Sequence, residues 1–248
     1  MFVLFGTRFY GRIDACDGCC RATAFFHVFL MPIVPRGSVI LLGEGTVVAR
    51  SSHHVPLLGG ESSQTMAYQT IPTKLSWKSL VLGYLRTWWG LLDMFAAIGA
   101  LVAVGELEQH PRIALVVLLV SAAIVAIHLL LLWVGRLSTN DARKRRVYAR
   151  YVGGAFDPID VTDAAARQRI RDELVRFLRA RLGVRADAGA RDLVRIASDP
   201  AVADPDAIGA ALTLCRVDPD SAASDPTAAH RALWTRLLAV DSRAGLGR

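Results

Sequence analysis

Cysteine is scarce in this chain and badly placed for cross-linking. Of the four present, three crowd together at Cys16, Cys19 and Cys20. Adjacent cysteines rarely bond each other and no partner set lies nearby, so the sequence excludes a disulfide framework and favours a reduced, cytoplasmic setting. Catalytic signatures are missing too: there is no P-loop, no G-x-S-x-G elbow, no H-E-x-x-H motif and no dinucleotide fingerprint. Gly59-Gly60 and Gly153-Gly154 precede nothing helix-forming at phosphate-cradle spacing. These absences argue for a non-enzymatic protein and nominate no catalytic, cofactor-binding or metal-binding residue. The start "MFVLFGTRFYGR" also lacks the basic start and the apolar core that a cleaved signal needs.

Charge is missing where it matters most. From Ile113 to Gly135 the chain reads "IALVVLLVSAAIVAIHLLLLWVG", with no fixed charge. At 1.5 Å per residue such a helix is about 34 Å long, enough for a hydrocarbon core of about 30 Å. "TWWGLLDMFAAIGALVAVG" (Thr87–Gly105) is nearly as long and carries Asp93. The short link "ELEQHPR" makes the two antiparallel neighbours. Hydrophobic residues form 53% of the chain, which fits an integral membrane protein better than a soluble one.

The formal charge of +7 is concentrated rather than spread. Residues 136–150 hold six basic side chains and one acid, whereas residues 151–248 hold fourteen of each sign. A basic cluster just after the longest apolar run suits anionic lipid headgroups and topology control, not nucleic acid. Lys74, Lys78 and Arg86 precede the first span and the link has only Arg112, so both termini are expected in the cytoplasm, in a cell (inner) membrane. Trp88, Trp89 and Trp133 then fall near one interface.

"FFHVFLMPIVPRGSVILL" (Phe25–Leu42) is apolar but holds Pro32, Pro35 and Arg36, each costly inside a spanning helix. It reads as two strands, Ala24–Leu30 and Ser38–Leu42, joined by a proline-fixed turn, with "MFVLF" and "GTVVA" as further strands. "FGTRFYGR" (Phe5–Arg12) followed by "ATAFFHVFLMPIVPRGS" (Ala22–Ser38) resembles the opening of an uncharacterised family of two-span membrane proteins. That opening in turn looks like a degenerate zinc-ribbon domain, in which an aromatic run leads into a P-x-x-P turn. The resemblance implies the two-helix layout and no established activity. A zinc ribbon takes two cysteine pairs; "CDGC" (Cys16–Cys19) has the spacing of one, and where the second belongs stand only His53 and His54. Buried thiols are the expectation there, with a membrane-anchored zinc or redox module using Cys16, Cys19 and Cys20 as the alternative. His27, in an aromatic strand, reads as a core histidine.

Beyond Gly154 the composition turns to Ala, Arg and Asp. Thr162 or Asp163 caps a helix to Leu182 that Gly183 ends, and three shorter helices follow at about 188–197, 206–216 and 227–240. Their apolar stripes fit either a domain core or a partner helix.

The expected architecture is an α+β membrane protein. It comprises a small β domain (1–50), a linker (51–78), a transmembrane hairpin (79–135, spans about 87–105 and 113–135), a basic juxtamembrane segment (136–155) and a helical cytoplasmic domain (156–248). The expected role is an adaptor or scaffold with a protein partner or a second copy, without a cofactor. Within the hairpin, opposed residues share a midpoint, and that of Asp93 and His128 falls in the link. The two are expected on one level, as a structural clamp between the helices.

Overall fold

The computed structural model describes residues 5–29, 31–55, 59–222 and 225–243. The protein is α+β, with four N-terminal strands and, among the described residues, seven α-helices. It divides into two compact units: Met1–Ala15, Cys20–Leu41 and Tyr68–Leu137 form one, and Cys16–Cys19, Leu42–Ala67 and Ser138–Arg248 the other.

Strands β1 (Phe5–Cys16), β2 (Cys19–Val28), β3 (Met31–Val55) and β4 (Gly59–Thr73) form one antiparallel sheet in sequence order. The expected proline-fixed turn is displaced. Val28 pairs with Met31, while Pro32 and Pro35 lie inside β3 opposite His27 and Phe25. Proline has no N–H to give the ladder, and the register shifts at Ala24/Phe25 and Phe26/His27 accommodate the missing donors. Of the expected strand "MFVLF", residues 1–4 lie outside the described residues and Phe5 opens β1. "GTVVA" falls within β3, which continues to Val55. Within the segment expected as a loop or linker with at most one short strand, Gly59–Thr73 is β4. Its Ser, Gly and Gln content conceals a strand defined by backbone pairing rather than by apolar alternation.

Helix α1 (Trp77–Gly105) starts well before the expected span, at a Ser76 cap whose side chain accepts from Ser79 N–H. Its first turns bury Ser79, Leu80, Leu82 and Gly83 against the sheet. Gly11, in the left-handed region at φ 61°, makes that approach possible: a Cβ there would sit 1.8 Å from the Ser79 carbonyl oxygen. The junction is polar at its centre and every group is satisfied. Thr23 Oγ1 donates to Ser79 Oγ at 2.9 Å, Ser79 Oγ donates to Gly11 O at 2.8 Å, and Ser38 Oγ accepts from Ser76 N–H at 2.9 Å. With the Thr23 proton so committed, Ser38 is the donor in the 3.0 Å Ser38–Thr23 bond. Around it, Phe25 meets Tyr10 and Tyr84 edge-on, with ring centroids 5.7 and 5.0 Å apart. Helix α2 (Pro111–Trp133) completes this unit.

In the second unit, α3 (Thr139–Val152), α4 (Ala164–Leu182), α5 (Ala190–Ala197) and α7 (Pro226–Arg243) surround α6 (Pro205–Val217). The anticipated caps are present: Asp163 at the start of α4, Gly183 in the left-handed conformation at its end, and Asp204 before α6. The apolar stripes are used internally, since Leu174, Leu178, Ile208, Leu212, Leu233 and Leu237 share one core. The segment expected as a basic juxtamembrane stretch over 136–155 contains α3. Its α3 belongs to this bundle, burying Tyr148 and packing Val147, Tyr151 and Val152 on the core.

Candidate functional site

The hairpin of α1 and α2 carries the features most distinct from an ordinary soluble domain. Both helices are long and apolar enough to cross a membrane, yet only 11% of the apolar window of α1 and 6% of that of α2 is buried. The contact face between them is built from small residues, with Ala96, Ala103, Ala114 and Ser121 buried. Gly99 approaches Val117, a Cβ on it lying 3.6 Å from a Val117 methyl. Small side chains let helix backbones come close where no hydrophobic effect drives them together.

Polar groups then tie the helices at several points. Trp89 Nε1 donates to Ile124 O at 3.0 Å, and Ser121 Oγ donates to Ala96 O at 3.0 Å. Asp93 Oδ2 and His128 Nδ1 are paired, each side chain about three-quarters covered. The pairing agrees with the midpoint expectation. Asp93 Oδ1 is buried with no hydrogen-bond partner, so the carboxylate is only half satisfied. No polar chain continues from the pair in the hydrogen bonds described, and it has the character of a clamp.

Arg86 escaped the sequence reading, which counted it only as a flanking charge. Its guanidinium gathers backbone carbonyls from two elements: Nε donates to Leu131 O at 3.0 Å, Nη1 to Arg12 O at 2.8 Å, and Nη2 to Leu132 O at 3.4 Å and Val134 O at 2.6 Å. The last carbonyls of a helix lack intrahelical donors, and a planar cation with five N–H groups satisfies several at once. Asp14 N–H donates to Gly135 O at 2.8 Å beside it, fastening β1 to the end of α2.

The cysteine cluster flanks a turn. Asp17 and Gly18, both at positive φ, reverse the chain between β1 and β2. Cys16 and Cys19 are buried thiols, Cys20 is partly buried, and Asp17 pairs with Arg146 at 3.3 Å. Burial pushes the Cys16 thiol up and Asp17 adds to this, Arg146 and Arg145 opposing, which is the reverse of an activated thiolate. Among the described residues no group of three His, Cys, Asp or Glu side chains could hold a metal ion. His53 and His54 lie in β3, among residues whose side chains are outside the description. His27 is buried beside Tyr10, and burial, then the Arg8 charge, lowers its pKa.

In the helical unit a cleft of about 690 Å³ is edged by Arg167, Arg171 and Arg191. The domain itself occupies these cations: Arg171 Nε meets Asp218 at 2.7 Å, Arg167 Nη2 donates to Val161 O and Arg191 Nη2 to Asp220 O. The basic residues of α3 are also partly engaged, Lys144 with Asp141 and over the Trp234 ring, Arg146 with Asp17. Arg143 and Arg150 stay exposed.

No family model, curated protein or solved structure matches this chain.

Proposed function

We propose that the chain is a non-enzymatic two-pass protein of the cell membrane, an anchor and scaffold that presents its helical domain and its sheet on the cytoplasmic side. The observation that supports this most is the outer surface of α1 and α2, where Leu101, Ile113 and Leu119 are 75%, 66% and 62% exposed. Side chains so apolar are stable in that state only against lipid or another protein. Exposed Arg136, Arg143 and Arg150 lie after the second span, where cations favour the cytoplasmic leaflet and its anionic headgroups. The bundle closes its own core, so a partner protein or a second copy would meet its outer surface, and nothing in its composition favours nucleic acid.

Topology tests the proposal directly. Reporter fusions after Arg50 and after Leu246 should both report from the cytoplasm, with only the Glu106–Arg112 link outside. An external signal from either fusion, or release of the full chain from membranes by alkaline carbonate, overturns it.

A further inference from the structure

The sheet-bearing unit exposes an apolar surface that the two spans do not account for. On α1 the residues Trp77, Val81, Leu85 and Trp88 recur at helical spacing, are all exposed, and run on into Leu92 and Phe95. The outward apolar stripe of α1 thus begins three turns before the expected span, on turns whose other face is buried against the sheet. Across 29 residues α1 is about 43 Å long, whereas α2, at 23 residues, is about 34 Å. A hydrocarbon core of about 30 Å accommodates α2, and the excess of α1 must lie in or beyond the headgroup layer.

A second apolar feature lies close to that level. Phe29, at the β2–β3 turn, and Ile33 and Val34, at the start of β3, are 61%, 49% and 53% exposed. Tyr84 Oη donates to Ile33 O at 2.7 Å, which fixes this turn to α1 one helical turn, about 6 Å, before Trp88. The bonds from Arg86 to the Leu131, Leu132 and Val134 carbonyls set the same part of α1 level with the end of α2. Arg36, Lys74 and Lys78, close in sequence to these residues, are exposed; Lys78 lies 3.8 Å from Asp14, and the Arg36 guanidinium lies 5.8 Å from the Phe26 ring centre. Aromatic and aliphatic side chains accompanied by cations are the composition of a surface that sits in a lipid interface.

We infer that the β2–β3 turn, with the outer face of α1 from Trp77 to Leu85, is embedded in the interfacial layer of the leaflet that the hairpin enters. The occupant of this surface is phospholipid. The inference rests on the proposed membrane placement of the hairpin and extends it: the sheet is a partly immersed shoulder that lies against the bilayer instead of hanging in water. It also assigns a role to "FFHVFLMPIVPRGS", which is neither a span nor a buried core alone.

The unmodified full-length chain, reconstituted in vesicles containing anionic phospholipid with photoactivatable acyl chains, tests this by peptide mapping after illumination. The expected result is lipid adducts on peptides covering 25–36 and 74–86, at a yield comparable with mid-span peptides and at least about tenfold above those from α4 to α7. Adducts in the spans without adducts on 25–36 overturn the inference and leave the membrane placement standing. In a parallel preparation with a photoreactive benzoylphenylalanine in place of Phe29, cross-linking to a second copy rather than to lipid also overturns it, in favour of a second copy on this face. Absence of adducts from both spans overturns the membrane placement, and the inference with it.

Discussion

Two apolar helices in this protein meet opposite fates. Helix α6 is buried on every face, from Ala207 to Cys215, by α3, α4, α5 and α7. Helix α2 has no fixed charge after Arg112, yet buries only Ala114 and Ser121. Both are apolar all round, so both must be kept from water. In α6 the shield is the protein's own side chains; for α2 the chain supplies one neighbour, and the remainder must come from the surroundings. Apolarity all round states that water is excluded and leaves open what excludes it.

Core truncation gives that comparison its largest contrast. Leu212→Ala in α6 empties a fully buried site and should cost about 2–5 kcal/mol, read as an early melting transition of the helical domain. Leu119→Ala in α2 opens no cavity, since Leu119 is 62% exposed, and should shift the melting of detergent-solubilised protein by less than about 1 kcal/mol. Equal costs at the two positions would mean that protein covers α2.

Next in size is Arg86→Leu. It leaves Leu131, Leu132 and Val134 carbonyls without their donor and should destabilise the hairpin by about 2–3 kcal/mol, measured by thermal unfolding in detergent. Arg86→Lys, with a single ammonium for a spread of acceptors, should recover only part of this.

Acid should separate the two units. His230, hydrogen-bonded to Tyr148 at 2.6 Å, has its pKa pushed down to about 4 by burial, then by the Arg216 and Lys144 charges, against the Asp157 charge. The unfolded chain takes up this proton below about pH 6.5 and the folded domain only below about 4. Stability from this group is therefore complete above pH 6.5, falls between 6.5 and 4, and is gone below. Partial exposure of the ring screens the effect to about 2 kcal/mol. Urea titrations at pH 7 and pH 4.5 check this, and His230→Gln should flatten the dependence.

The smallest effect belongs to the clamp. Asp93→Ala should weaken the hairpin by about 0.6–1.7 kcal/mol, the range for interhelical polar pairs in membranes. Disulfide formation between Asp93→Cys and His128→Cys, with Leu130→Cys replacing the second partner as control, reports the pairing directly. A control pair that links more readily than 93–128 rules the clamp out.

Legibility in the sequence followed the range of the signal. Helices α4 and α6 were readable to within a residue or two, because Asp163, Gly183 and Asp204-Pro205 act on the backbone within one turn of themselves. Asp93 and His128 were readable because a hairpin with a short link converts sequence position into depth. Helix α3 was obscured by its charge: "RKRR" masked Val147, Tyr148 and Tyr151, whose spacing already marks a buried face. Strand β4 and the true β2–β3 turn depended on which backbone pairs with which, a non-local property that residue types alone did not reveal. The acceptors of Arg86 were hidden for the same reason.

The arginine buckle also sets an order of events during synthesis. Arg86 is made 45 to 48 residues before the Leu131, Leu132 and Val134 carbonyls that receive its protons. At about 5–20 residues per second the ribosome needs roughly 2–10 s to supply them. Of the four carbonyls that Arg86 engages, only Arg12 O has been made before then. The first helix is therefore left waiting for the second, and the hairpin reaches its final register as a pair, closed by the last turn to be translated.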